Sequence, residues 1–135
     1  MDARQAVVCD ASVLAAMVFG EPGSAEAHAL TRSRRLVAPS LLRYEMAHVA
    51  AHRLACAGDM TRHVQQAFAA SLRVPMRLVE PSWSAVLDLA RAHRLSAYDA
   101  SYLQLALALR LPLVTLDKRL ARVAEELGIE TRPTG

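Results

Sequence analysis

Four carboxylates stand where chain topology can gather them: Asp10 directly after the apolar run Ala6-Val7-Val8-Cys9, Glu45 inside a helical segment, Asp99 near the opening of another helix, and Asp117 directly after Leu113-Val114-Thr115-Leu116. Carboxylates gathered without cations between them repel, so such a group persists chiefly where divalent cations bind it or some members stay protonated. The chemistry expected of the four is an acidic pocket for magnesium or manganese. Each acid also has an ordinary use. Ser96-Ala97-Tyr98-Asp99 matches a capping box, Asp117 suits the start of a helix at Lys118, and Asp10 or Ser12 could cap the first helix. Glu45 fits this use least. Its helical neighbours at i−4, i−3 and i+4 are Leu41, Leu42 and Val49, an apolar stripe on which an unpaired carboxylate is costly. A cation is its expected partner, and greater exposure the alternative.

The elements that must position these acids follow from the apolar pattern. Val7 to Asp10 reads as a short buried strand, followed by a helix from Ser12 to Phe19, a break at Glu21-Pro22-Gly23, and a second helix through Thr31. Arg35 to Ala38 reads as a strand, with Pro39-Ser40 starting a long helix to Ala57 that stops at Gly58. Asp59 is expected to cap the next helix. Met76 to Val79 is strand-like, Pro81-Ser82 begins a helix to His93, and Ser96 caps another running to Arg110. Leu113 to Leu116 is the next strand, and Asp117 leads a last helix closed by Gly128. Strands alternating with helices imply an α/β fold with a mostly parallel sheet covered on both faces. In such sheets the binding crevice lies outside the carboxyl ends of the strands, where Asp10 and Asp117 fall.

The 135 residues fit one domain over 1–135, and 53% hydrophobic against 21% charged residues excludes a disordered chain. No uncharged apolar run approaches the roughly 18 residues of a membrane span, so no membrane partner and a cytoplasmic location are expected. Cys9 and Cys56 are far apart and outside any paired-thiol spacing; both read as small core residues. Of the sixteen cations fifteen are arginine, the better fork for phosphate oxygens. With four acids committed to metals, nine remain against sixteen cations, a balance that attracts a nucleic-acid backbone.

Other reactive arrangements fail on inspection. Glu45-Met46-Ala47-His48 has the Glu-x-x-His spacing of di-iron bundles, but the second such motif is missing. His48 and His52 share a helix face without the glutamate of zinc proteases between them. No cysteine-histidine zinc spacing, Gly-rich phosphate loop or Gly-x-Ser-x-Gly elbow occurs.

The segments Val7-Val8-Cys9-Asp10-Ala11-Ser12, Pro39-Ser40-Leu41-Leu42-Arg43-Tyr44-Glu45, Ser96-Ala97-Tyr98-Asp99-Ala100-Ser101-Tyr102-Leu103 and Leu113-Val114-Thr115-Leu116-Asp117 resemble, in order, the acidic motifs of PIN-domain proteins. Within that family the likeness is closest to the VapC toxins of bacterial toxin–antitoxin pairs. The resemblance implies a three-layer α/β/α domain acting as a magnesium- or manganese-dependent endoribonuclease, with water attacking phosphorus to leave a 5′ phosphate and a 3′ hydroxyl. It matches Asp10, Glu45, Asp99 and Asp117 to metal-site acids, and Ser12 to the hydroxyl residue that orients the first acid or a bound water. Some relatives carry a further acid where this chain has Lys118-Arg119-Leu120, which touches a second metal position. The implied partners are an RNA substrate, a second copy in a homodimer and an antitoxin protein. Two other classes stay open on sequence alone: a catalytically silent PIN-like module that binds RNA or protein, and a nuclease acting on DNA.

Overall fold

The computed structural model describes residues 3–133, and in it the apolar runs become strands and the segments between them helices. The order is β1 (Ala6–Cys9), α1 (Ala11–Phe19), α2 (Ser24–Thr31), β2 (Arg35–Pro39), α3 (Leu42–Ala55), α4 (Thr61–Arg73), β3 (Arg77–Val79), α5 (Trp83–His93), α6 (Ala97–Leu109), β4 (Leu113–Val114), α7 (Lys118–Glu126) and β5 (Thr131–Arg132). All pairings are parallel, in the order β3-β2-β1-β4-β5. From β1 the chain first builds outward through β2 and β3, then returns to lay β4 and β5 on the other side. The reversal between β1 and β4 is the switch point at which an α/β sheet opens a crevice.

The sheet separates two apolar clusters, which makes three layers. Along β1, Val7 and Cys9 enter one cluster with Val13, Ala27 and Val114, while Val8 enters the other with Met46, Leu103 and Leu113. Helix α6 packs across β1, β2 and β4, and every residue from Ala100 to Ala106 is buried. A helix apolar nearly all round belongs at such a place. Polar side chains in its buried stretch find partners: Ser101 Oγ donates to the Ala97 carbonyl (2.7 Å), and Gln104 Oε1 accepts from the Ser82 amide (3.1 Å).

Several boundaries differ from the sequence reading. Pro39 closes β2 instead of opening α3, because its missing N–H is harmless at the end of a strand. Helix α3 stops at Ala55, not Ala57. Asp59 does not cap α4; it lies in a 3-10 turn over Gly58–Met60, and α4 begins at Thr61 without a side-chain cap. Thr131–Arg132 forms a fifth strand that no apolar run announces. Cys9 is buried as expected, but Cys56 is exposed. Among the described residues no helix is long and apolar enough to cross a membrane.

Gly23 opens α2 with φ +93°, and a Cβ there would meet Leu116 Cδ1 at 3.1 Å. Gly20 also has positive φ, with open space around it. Gly23→Ala therefore suffers the left-handed backbone cost of about 1–2 kcal/mol together with a clash, and Gly20→Ala the backbone cost alone. Urea unfolding should show Gly23→Ala as the less stable variant; equal midpoints would mean that the Leu116 side chain yields freely.

Candidate active site

Asp10 is the residue around which this edge of the sheet is built. It follows β1, caps α1 through the Val13 amide (3.2 Å to Oδ1), and is 4% exposed. Ser12 Oγ donates to the same oxygen at 2.6 Å, and Thr115 Oγ1 donates to Oδ2. Both hydroxyls also accept. The Leu116 amide donates to Ser12 Oγ (3.0 Å), and the Asp117 amide donates to Thr115 Oγ1 (3.0 Å). Two relays thus run from the backbone before α7 through hydroxyls into Asp10, and they fix where Asp117 begins its helix. Asp117 in turn caps α7, its Oδ1 accepting from the Arg119 (2.9 Å) and Leu120 (3.2 Å) amides.

The other two acids come from helices. Glu45 lies in the first turn of α3, half-buried, and Tyr102 Oη of α6 donates to its Oε1 at 2.6 Å. The apolar stripe therefore does not leave Glu45 to a cation alone: a buried phenol fifty-seven residues away is its partner. Asp99 lies in the first turn of α6, where its amide donates to Ser96 Oγ (3.1 Å). The cap and site readings of Asp10, Asp99 and Asp117 are compatible, since one carboxylate oxygen or the backbone serves the helix and leaves acceptor capacity elsewhere.

The four charges sense one another. Burial pushes the Asp10 carboxyl up from 3.8 to about 6, against the pull of Ser12, Thr115 and the Val13 amide, and Asp117 adds repulsion. Glu45 is raised by burial, lowered by the Tyr102 hydroxyl, and raised again by Asp10 and Asp99. Asp99 is raised by burial and by Asp117, with Arg119 drawing it back. Tyr102 is pushed far above the ordinary phenol range by burial and by Glu45, so it serves as a hydrogen-bond donor. Cys9, beside Asp10, is likewise raised by burial and remains a thiol.

The donor set suits a hard cation. All four candidate groups are carboxylates, and burial together with repulsion raises three of them, the condition a positive ion would relieve. Among the described residues no three His, Cys, Asp or Glu side chains stand close enough to form a ready cage. Magnesium does not require one, because it keeps several waters and takes one or two carboxylates directly. Sequence reasoning missed Thr115 and Tyr102. Both lay inside the motifs, but their partners are 105 and 57 residues distant, and only the fold joins them.

Comparison with known proteins decides the family. The PIN domain family model matches residues 7–126. The chain belongs to the PIN-domain family. PIN domains are nucleases, so hydrolysis of phosphodiester bonds is the class of activity of the family. Among solved structures, PAE2754 from Pyrobaculum aerophilum is similar with a TM-score of 0.62 and 23% identity, covering 94% of this chain and 92% of that one. VapBC2 from Rickettsia felis, solved bound to a DNA fragment from its promoter, is similar with a TM-score of 0.66 and 10% identity, covering 95% and 98%. At those identities the likeness is one of fold. No curated protein matches the sequence significantly.

The raised Asp10 carboxyl has a consequence for stability. Between pH 3.8 and about 6 the folded state keeps a proton that the unfolded chain has released, so stability falls as pH rises through that window. The loss is on the order of 3 kcal/mol once pH exceeds 6. Denaturant titrations in chelator should show this decline, and Asp10→Asn should flatten it. Thr115→Val removes a donor to the charged form and should carry the decline to higher pH. A pH-independent midpoint in the unaltered chain would contradict the burial argument.

Proposed function

We propose that the chain is a magnesium- or manganese-dependent endoribonuclease and the toxin of a toxin–antitoxin pair. The observation that carries this reading is the buried Asp10 carboxyl at the switch point, coupled in charge to Asp117 and Glu45, which both couple to Asp99, with Arg119 as a partial counter-charge at Asp99. When bound, a divalent ion there supplies an activated water and positive charge for the departing 3′ oxygen. The protein's own groups do the rest. Ser12 and Thr115 favour the ionised form of Asp10 and orient it, Tyr102 fixes Glu45, and the relays through both hydroxyls set the position of Asp117. Arg119 is bonded to the Arg94 carbonyl (2.9 Å), which anchors one cation beside the acids where a phosphate arrives.

The proposed partners follow from surface and fold. Leu54, Met60 and Leu72, on the segments running from Ser40 to Leu72, are exposed, and they support pairing with a second copy. The likeness of fold to VapBC2 supports an antitoxin, which on charge grounds would place an arginine among the carboxylates and compete with metal.

The test is cleavage of a mixed-sequence RNA with chelator, magnesium or manganese. Cleavage should require metal, leave 5′ phosphates, vanish in Asp10→Asn, and fall roughly 10–100-fold in Ser12→Ala, as expected of a residue that orients a metal-site carboxylate. Equal cleavage of single-stranded DNA would make the chain a general or DNA-acting nuclease. RNA binding without cleavage under every metal condition would make it a silent module.

A further inference from the structure

At the opposite edge of the sheet, where the strands begin, lies a cavity of about 460 Å³ that the acidic site does not use. The register explains its lining. Ala6 pairs with Arg35 and Val37 with Arg77, so Arg35, two residues before Val37 on β2, shares a sheet face with Arg77 on β3. That face is the one covered by α6. The helix ends at Leu109, short of the two arginines, and Leu109 and Leu111 with Met76 form an apolar wall beside them. Arg35 is held in place, its Nε donating to the Arg4 carbonyl at 2.9 Å, and Arg4 also lines the cavity. None of the described lining residues is acidic, and neither Arg35 nor Arg77 has an ion pair among the described residues.

Like charges on one sheet face repel and are better tolerated when an anion joins them. Guanidinium matches phosphate oxygens in a planar fork, and an adjoining apolar wall accepts a base or ribose. The volume lies in the range of small-ligand pockets. We propose that this cavity is a second, non-catalytic nucleotide site, with Arg35 and Arg77 holding a phosphate and the wall at Leu109 and Leu111 receiving the base. The choice of nucleotide over other anions rests on the ribonuclease reading. Four residue steps, from Ala6 at the start of β1 to Asp10 just beyond its end, separate the two edges by about 13 Å of strand rise, so a strand occupying both must span more than one nucleotide. The phosphate source is a free nucleotide or an RNA strand.

Binding tests the site independently of cleavage. In chelator, with Asp10→Asn as the host, AMP, inorganic phosphate as the anion of similar charge without a base, and a short oligoribonucleotide are titrated calorimetrically against the host and against the same host carrying Arg35→Gln and Arg77→Gln. AMP should bind the host more tightly than an equally charged anion without a base, and the double substitution should weaken it about tenfold or more. An oligonucleotide binding more tightly than AMP identifies an RNA strand as the source, and equal affinities identify a free nucleotide. As a check independent of substitution, AMP should shift the methyl resonances of Leu109 and Leu111 in the unaltered chain. Affinity unchanged by the substitutions, unmoved methyl resonances, or equal competition by a glutamate-rich peptide would overturn the proposal. Because no cleavage is read, these outcomes differ from a failure of the ribonuclease reading, which appears only in the metal-dependent assay.

Discussion

The two hydroxyl relays into Asp10 are the interaction on which the acidic edge depends. A carboxylate this deeply buried is unfavourable unless donors surround it. Ser12, Thr115 and the Val13 amide supply three hydrogen bonds, and two of these donors reach onward to the backbone at Leu116 and Asp117. The same bonds that keep Asp10 tolerable therefore join the end of β1 to the start of α7 across the switch point. Fold and site share one set of contacts, and loosening either hydroxyl disturbs both.

Around that centre the protein accepts unfavourable electrostatics. Asp10, Glu45 and Asp99 are all raised above the ordinary carboxylate range, by burial first and by neighbouring acids second. Clusters of perturbed acids at a crevice are the pattern of functional sites, where stability is given up for chemistry. Helix α6 makes this possible. Its buried length anchors Asp99 at its start and brings Tyr102 to Glu45, so rigid packing holds two of the four acids that have no strand end to fix them. Membership in the PIN-domain family, over residues 7–126, agrees with this geometry and supplies the nuclease class.

Much of this was legible in the sequence because local rules and function pointed to the same residues. Apolar runs ending in Asp10 and near Asp117 marked strand ends on one edge, and Ser96 marked the start of the helix that carries Asp99. The sheet proved wholly parallel, as continuous apolar strands suggest. What stayed hidden was non-local. Thr115 reads as an ordinary strand residue until β4 pairs with β1, and Tyr102 reads as core until α6 packs beside α3. The short β5 carries Thr131-Arg132, with no apolar run to announce it, and its pairing with β4 is set by the tertiary fold. Asp59 misled because a favourable capping residue can also sit in a 3-10 turn.

The central claim is that Asp10, whose carboxyl burial pushes up to about 6, is the group a divalent ion would engage. Calorimetry of manganese binding to the unaltered chain, in two buffers of different ionisation heat, tests it most directly. Metal must displace the proton that Asp10 carries, so at pH 6 binding should release about half a proton, fading to none by pH 8. Asp10→Asn should bind manganese much more weakly and release fewer protons at pH 6. Identical heats in both buffers at pH 6, or undiminished manganese affinity in Asp10→Asn, would contradict the account.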